Sequence, residues 1–251
     1  MAIFLKANWE NIIMVNYEID PEILRPFLPK GVTIDLFEGK AYISLVGFMF
    51  KKTKIFNIPI PRFGTFEEIN LRFYVKREEG HFVKRGVVFI NETIPYPLVA
   101  WVANWLYKEH YSVVPTKHLF SKSESTQQLQ FEWLANKKWN SIFVETETQL
   151  KEMEPNSFEE FIYQHYYGFT KVSENATEEY RLQHPRWKVY PVTKYAINCD
   201  FSAMYGKEFS IINHTQPKAV FVADGSAVKI EWKRNRLIFA HEGNQKTAPT
   251  Y

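Results

Sequence analysis

The residues with the greatest chemical potential fall on one stretch of chain. From Phe66 to Val75 the sequence reads FEEINLRFYV. On an extended strand successive side chains point to opposite faces. Ile69, Leu71, Phe73 and Val75 therefore share one face, and Glu68, Asn70, Arg72 and Tyr74 share the other. Such a polar row serves either as the outer side of a half-solvated strand or as the inner wall of a barrel. Facing inward, Glu68 and Arg72 must be paired and hydrogen-bonded, with Asn70 between them able to serve both. Arg72 then offers a fork to a ligand carboxylate or carbonyl, and Glu68 becomes a general acid or base if burial raises its pKa. A second group, His184 to Trp187 (HPRW), places imidazole, guanidinium and indole within four residues. A histidine beside proline serves equally well as a structural residue whose ring nitrogen bonds a backbone carbonyl. His165, near the end of a capped helix, is expected to be structural, favoured by the helix dipole.

Other chemistries lack their residues. Cys199 is the single cysteine, so the chain has no intrachain disulfide and no cysteine-based zinc site. It sits in a strand-like stretch, as a small buried group rather than a nucleophile. The seven histidines form no HxH or HExxH pattern, and no metal is expected. The G-x-S-x-G elbow, the phosphate-binding loop and the Rossmann glycine fingerprint are all missing, and no cofactor is expected.

The elements that must position these residues follow from composition and pattern. The 251 residues are 45% hydrophobic and 24% charged, which is globular, and 17% aromatic, which suits sheets and a large apolar interior. Lys+Arg number 31 against 28 Asp+Glu, and a balance of +3 is too mild for a nucleic-acid footprint. No signal peptide or bilayer-length apolar run is visible, so a cytoplasmic protein without membrane contact is expected. With no repeat or linker, residues 1–251 read as a single domain. Strands are expected at 11–18, 32–37 and 41–50 (a hairpin around Gly39), 66–76 paired with 82–91, and 129–134 paired with 142–148. Later strands are expected at 180–183, 195–204, 218–223 and 227–233, with a turn at Asp224-Gly225. Lys117–Gln128 reads as a polar loop. Short helices are expected after the Asp20 cap, over Pro97–Tyr107, and from Ser157, a capping box, to about Tyr167. The class is α+β, mainly antiparallel β, with two or three short flanking helices.

The order of these segments resembles the acetoacetate decarboxylase-like superfamily, and within it the uncharacterised YqjF-like bacterial family. The matching pieces are Asp20–Pro29 (DPEILRPFLP), Gly31–Asp35, Ala41–Phe48, the Glu68-x-Asn70-x-Arg72-x-Tyr74 row, Gly86–Ile90, and His184 with Trp187. The resemblance implies a cone-shaped β-barrel with an internal pocket, in which Glu68 matches a pocket glutamate. It also implies a reactive lysine, with a second lysine beside it, just after the helix at 97–107. Here that stretch reads Leu106 to Tyr111, LYKEHY, so Lys108 is followed by Glu109. A carboxylate neighbour raises an ammonium pKa where a second ammonium lowers it. Schiff-base decarboxylation is therefore not expected.

Three functions remain open at this stage. One is a binding protein holding a small aromatic, carboxylate or carbonyl compound through Asn70, Arg72, Tyr74, His184 and Trp187. Another is a lysine-independent lyase- or isomerase-type enzyme using Glu68 as general acid/base and Arg72 as anion anchor. The third is an interaction protein without catalysis. Edge strands and abundant aromatics are compatible with a homodimer.

Overall fold

The computed structural model describes residues 2–97, 99–101 and 110–240. Strand β1 runs Ile3–Ile19, starting well before Asn11. Asn11 has φ 56°, and the register to the neighbouring strand shifts between Glu10 and Ile13. The alternation inverts there, so Trp9, Ile12 and Met14 face one way. A strand whose period slips in the middle reads as ending there. Helix α1 (Pro21–Leu24) is capped by the Asp20 carboxylate, as expected, and a 3₁₀ turn follows over Arg25–Phe27.

Strands β2 (Thr33–Ile34), β3 (Ala41–Ile55), β4 (Ile58–Pro59), β5 (Phe66–Glu79) and β6 (Phe82–Ile94) come next. The expected hairpin between 32–37 and 41–50 is corrected: β2 pairs with β5, and only a bridge from Phe37 to Lys40 closes the turn. The β5–β6 hairpin is as expected, with Gly80 at φ 61° in its turn. Residues 97 and 99–101 are helical; the rest of the helix expected over Pro97–Tyr107 lies outside the described residues.

Strands β7 (Tyr111–Val113), β8 (Thr116–Lys122), β9 (Thr126–Ala135) and β10 (Lys138–Glu147) follow. The loop expected over Lys117–Gln128 is instead strand β8 and the start of β9. As an edge strand, β8 keeps polar residues exposed and sends Phe120 to the core, so its composition reads as loop. Helix α2 (Phe158–Tyr163) is capped by Ser157 Oγ and is shorter than expected, because β11 (Tyr167–Ser173) begins where the helix was to end. Strands β12 (Ala176–Gln183), β13 (Val189–Tyr190) and β14 (Val192–Asn198) follow. The strand expected to Met204 stops at Asn198, because Asp200 accepts from the Ala203 amide and opens helix α3 (Phe201–Tyr205). Cys199 lies in the connection, half-buried against the core. After a 3₁₀ segment (Lys207–His214), strands β15 (Ala219–Glu231) and β16 (Asn235–Ile238) complete the described chain. The turn expected at Asp224-Gly225 is corrected too. β15 runs straight through it, with Gly225 at φ 79° and no room for a Cβ, which would sit 2.1 Å from the Trp9 carbonyl oxygen.

The main sheet follows the path β15-β1-β3-β5-β6-β11-β12, and β12 pairs back to β15 through Leu182–Ile230 and Gln183–Lys229. Seven strands thus close into a ring, antiparallel throughout except at the β6–β11 contact. A second sheet, β14-β10-β9-β8, covers its outside. Ile69, Leu71 and Phe73 of β5 pack outward in one core with Phe131, Trp133 and Ile142. Phe66 and Tyr74 of the same strand point inward to a second core with Trp9, Met14, Phe48 and Phe161 of α2. The fold is α+β and mainly antiparallel, as the sequence pattern indicates. β5 is buried on both faces, which is what its alternation could not reveal.

Candidate functional site

The polar row of β5 lies inside the ring. Glu68 is 3% exposed, Asn70 1%, Arg72 9% and Tyr74 0%. Glu68, Asn70 and Arg72 line an internal cavity of about 60 Å³, whose walls include Trp9, Phe48, Phe89 and Glu92. Their neighbours follow from register: Phe48 stands opposite Glu68, Glu92 opposite Asn70, and Phe89 opposite Arg72. Phe89 and Glu92 can share one face only because β6 bulges between them, where the register to β5 shifts.

The hydrogen bonds divide the cavity into occupied and available groups. Asn70 donates to Glu68 Oε1 at 3.0 Å, and the Tyr111 hydroxyl donates to Glu92 Oε1 at 2.7 Å. Burial pushes the Glu68 carboxyl up to about 7, against the lowering influence of the Asn70 amide, the Arg72 guanidinium and Tyr111. Burial, with Glu68 and Glu92 nearby, holds Tyr111 well above the ordinary phenol range. Arg72 has no carboxylate within ion-pair distance among the described residues; its Nη2 reaches Met14 Sδ at 4.0 Å. Arg72 Nε, Asn70 Oδ1 and Trp9 Nε1 are buried and have no hydrogen-bond partner among the described residues. The cavity thus presents available donors and an available acceptor around one cation that has no carboxylate within ion-pair distance among the described residues.

The other candidates sit elsewhere. Tyr74 shares a 2.6 Å hydrogen bond with Ser44, which donates to Asn16 at 2.6 Å, so its hydroxyl belongs to a separate buried chain beyond the cavity lining. His184 stacks on Trp187 at 4.3 Å between ring centres, and its Nδ1 lies 3.1 Å from the Pro185 carbonyl oxygen. Burial and the Arg72 charge push its imidazole down to about 4, so it is neutral at ordinary pH. Trp187 donates to Ser226 Oγ at 2.8 Å and packs against Trp9, one wall of the cavity. His184 and Trp187 therefore stand behind the lining rather than in it.

Sequence reasoning missed Glu92, Tyr111 and Trp9. Glu92 lay one residue past the expected strand end, on the far side of a bulge that no spacing signals. His165 does line the cavity, and its Nε2 faces Asp35 at 3.2 Å. Burial lowers its pKa despite Asp35. Burial pulls the Asp35 carboxyl up, but His165, Arg85 and Lys76 outweigh this and hold it below the ordinary value. Lys108 and Glu109 lie outside the described residues. Among the described residues the lining holds one cation, Arg72, and no lysine.

A closed ring around a buried carboxyl and guanidinium defines a β-barrel with an internal polar site. The chain belongs to the DUF2071 family, described as an uncharacterized conserved protein, whose model matches residues 6–227. It is 32% identical over 88 residues to the uncharacterized protein YqjF of Bacillus subtilis (strain 168). That match spans about a third of each chain, 35% in both cases. The fold is that of the acetoacetate decarboxylase-like proteins. An acetoacetate decarboxylase-like enzyme from Sphingomonas wittichii RW1 superposes with a TM-score of 0.63 at 10% identity, over 96% of this chain and 95% of the other. Acetoacetate decarboxylase from Legionella pneumophila subsp. pneumophila str. Philadelphia 1 gives 0.63 at 11% identity, over 95% and 88%. The enduracididine biosynthesis enzyme MppR, complexed with the condensation product of pyruvate and imidazole 4-carboxaldehyde, gives 0.63 at 10%, over 95% and 90%. Among the described residues, no helix is long and apolar enough to cross a membrane.

Proposed function

We propose that the cavity binds a small organic carboxylate or carbonyl compound, anchored on Arg72, without a Schiff base to lysine. The observation that carries this is the Arg72 guanidinium, 9% exposed and without a carboxylate partner among the described residues. An uncompensated buried ion costs several kcal/mol even after relaxation. A ligand carboxylate offsets that cost and satisfies Nε; a ligand hydroxyl or enol can donate to Asn70 Oδ1.

Size narrows the class. A cavity of about 60 Å³ is well below the ~300 Å³ of an ordinary drug-sized site and a few times what one water needs. This favours a compound of a few heavy atoms over an aromatic acid. One observation favours a catalytic reading of the same site: Glu68, with its pKa near 7, adjoins the anion anchor and can both give and accept a proton at neutral pH. The interaction-protein reading has no comparable support from this site.

Pyruvate is the natural probe, being a small carboxylate with an adjacent carbonyl, and it is present in a complex of MppR. In a thermal-shift panel of small 2-oxo acids and aromatic acids, pyruvate is expected to raise the melting temperature and the aromatic acids to leave it unchanged. Borohydride added to the pyruvate complex should leave the protein mass unaltered. A reduced adduct on Lys108 would overturn the rejection of imine chemistry.

A further inference from the structure

The ring has two short seams: β12 and β15 pair only at Leu182–Ile230 and Gln183–Lys229, and the β6–β11 seam is as short. β6 and β11 pair over only two positions, Tyr167 with Gly86 and Gly168 with Val87. Past Val87 the register ends, and an outer groove of about 320 Å³ takes its place, walled by Phe27, Val88, Phe89, His110, Phe169 and Lys171 among others. The inner cavity lies against the same seam, with Val87, Phe89, Tyr167 and Gly168 in its wall. Among the described residues Phe89 alone borders both spaces.

Its position explains why. Phe89 stands opposite Arg72, so its ring shares the inward face with the guanidinium. Val87, Val88 and Ile90 around it are buried, yet Phe89 is part-exposed. An inward-facing aromatic ring reached by solvent is a thin wall between outside and inside.

We infer that the outer groove is the route into the cavity and that the Phe89 side chain is the barrier that limits by size what enters. The identity of the guest rests on the proposed carboxylate site; the route itself does not. A smaller residue at position 89 joins the two spaces.

The test uses Trp9, whose indole borders the cavity and whose Nε1–H has no partner among the described residues. In protein labelled with ¹⁵N at tryptophan, the Trp9→Phe variant assigns its resonance. Exchange of that proton with water is then compared in wild type, Phe89→Ala and Phe48→Leu. Phe48 borders the cavity and not the groove. Phe89→Ala is expected to accelerate exchange at Trp9 by at least about tenfold, while Phe48→Leu stays within about twofold of wild type. Where Phe89→Ala fails to fold, Phe89→Leu takes its place, with a smaller acceleration. Unchanged exchange in a folded Phe89 variant, or equal acceleration by Phe48→Leu, overturns the inference. The same samples are titrated with pyruvate. Acceleration without any pyruvate binding supports the route and sinks the carboxylate reading, so the two failures are distinguishable.

Discussion

Replacing Arg72 with methionine is expected to abolish carboxylate binding while leaving the folded state as stable as before, or more stable. The two halves of this expectation come from the same imbalance. Arg72 is buried without a carboxylate partner among the described residues, and its Nη2 contacts the Met14 sulfur at 4.0 Å. Methionine keeps the unbranched stem and packs against Met14 while removing a buried charge that makes no ion pair among the described residues. Binding should suffer the reverse effect. Removing one partner of a buried, hydrogen-bonded charge pair costs about 2–5 kcal/mol, or roughly 30-fold to several thousand-fold in affinity. Calorimetric titration with pyruvate and denaturant unfolding of the two proteins check both halves. A methionine variant that unfolds more easily and binds as before would show that Arg72 is structural.

Glu68→Gln carries the second large effect, and it depends on pH. Burial raises the Glu68 carboxyl from 4.5 to about 7. Between those values the folded protein holds a proton that the unfolded chain has released. Stability from this group is therefore fully present below about 4.5 and is lost as pH rises through about 7. At ~1.4 kcal/mol per pKa unit, the loss amounts to about 3–4 kcal/mol. Glutamine mimics the protonated form. The variant should match wild type at pH 4 and exceed it by about 3–4 kcal/mol at pH 8, measured as a difference in urea unfolding. Asp35 and Glu67 have lowered pKa values, so they act in the opposite direction at acid pH, but they cancel in the comparison. Because a bound anion favours protonated Glu68, wild-type affinity for pyruvate should fall as pH rises from 6 to 8. That fall should vanish in Glu68→Gln.

The legible and illegible parts of this protein divide on a physical line. Period-2 alternation in β5 separated Ile69, Leu71 and Phe73 from Glu68, Asn70 and Arg72, and the structure keeps them on opposite faces. Caps at Asp20 and Ser157 were readable because their chemistry is local. What alternation cannot express is a strand buried on both sides, so nothing in the segment itself decided whether the polar row met water or an interior. Bulges defeated the reading elsewhere. At Asn11 and beyond Phe89 the parity of inward-facing residues changes, which concealed Trp9 and Glu92. Asp224-Gly225 reads as a turn because Asp-Gly is a hairpin signal; here the glycine relieves crowding against Trp9 in a continuous strand. Helix-end reasoning gives His165 a structural place, and only the tertiary approach of Asp35 reveals its pairing.

The central claim is that Arg72, Asn70 and Glu68 enclose a place for a small carboxylate. Diffraction from crystals soaked in pyruvate tests it most directly. The expected result is a bound molecule inside the ring with its carboxylate on the Arg72 guanidinium and Glu68 beside it. A cavity unchanged by saturating pyruvate, with Arg72 turned onto a carboxylate of the protein itself, would contradict it.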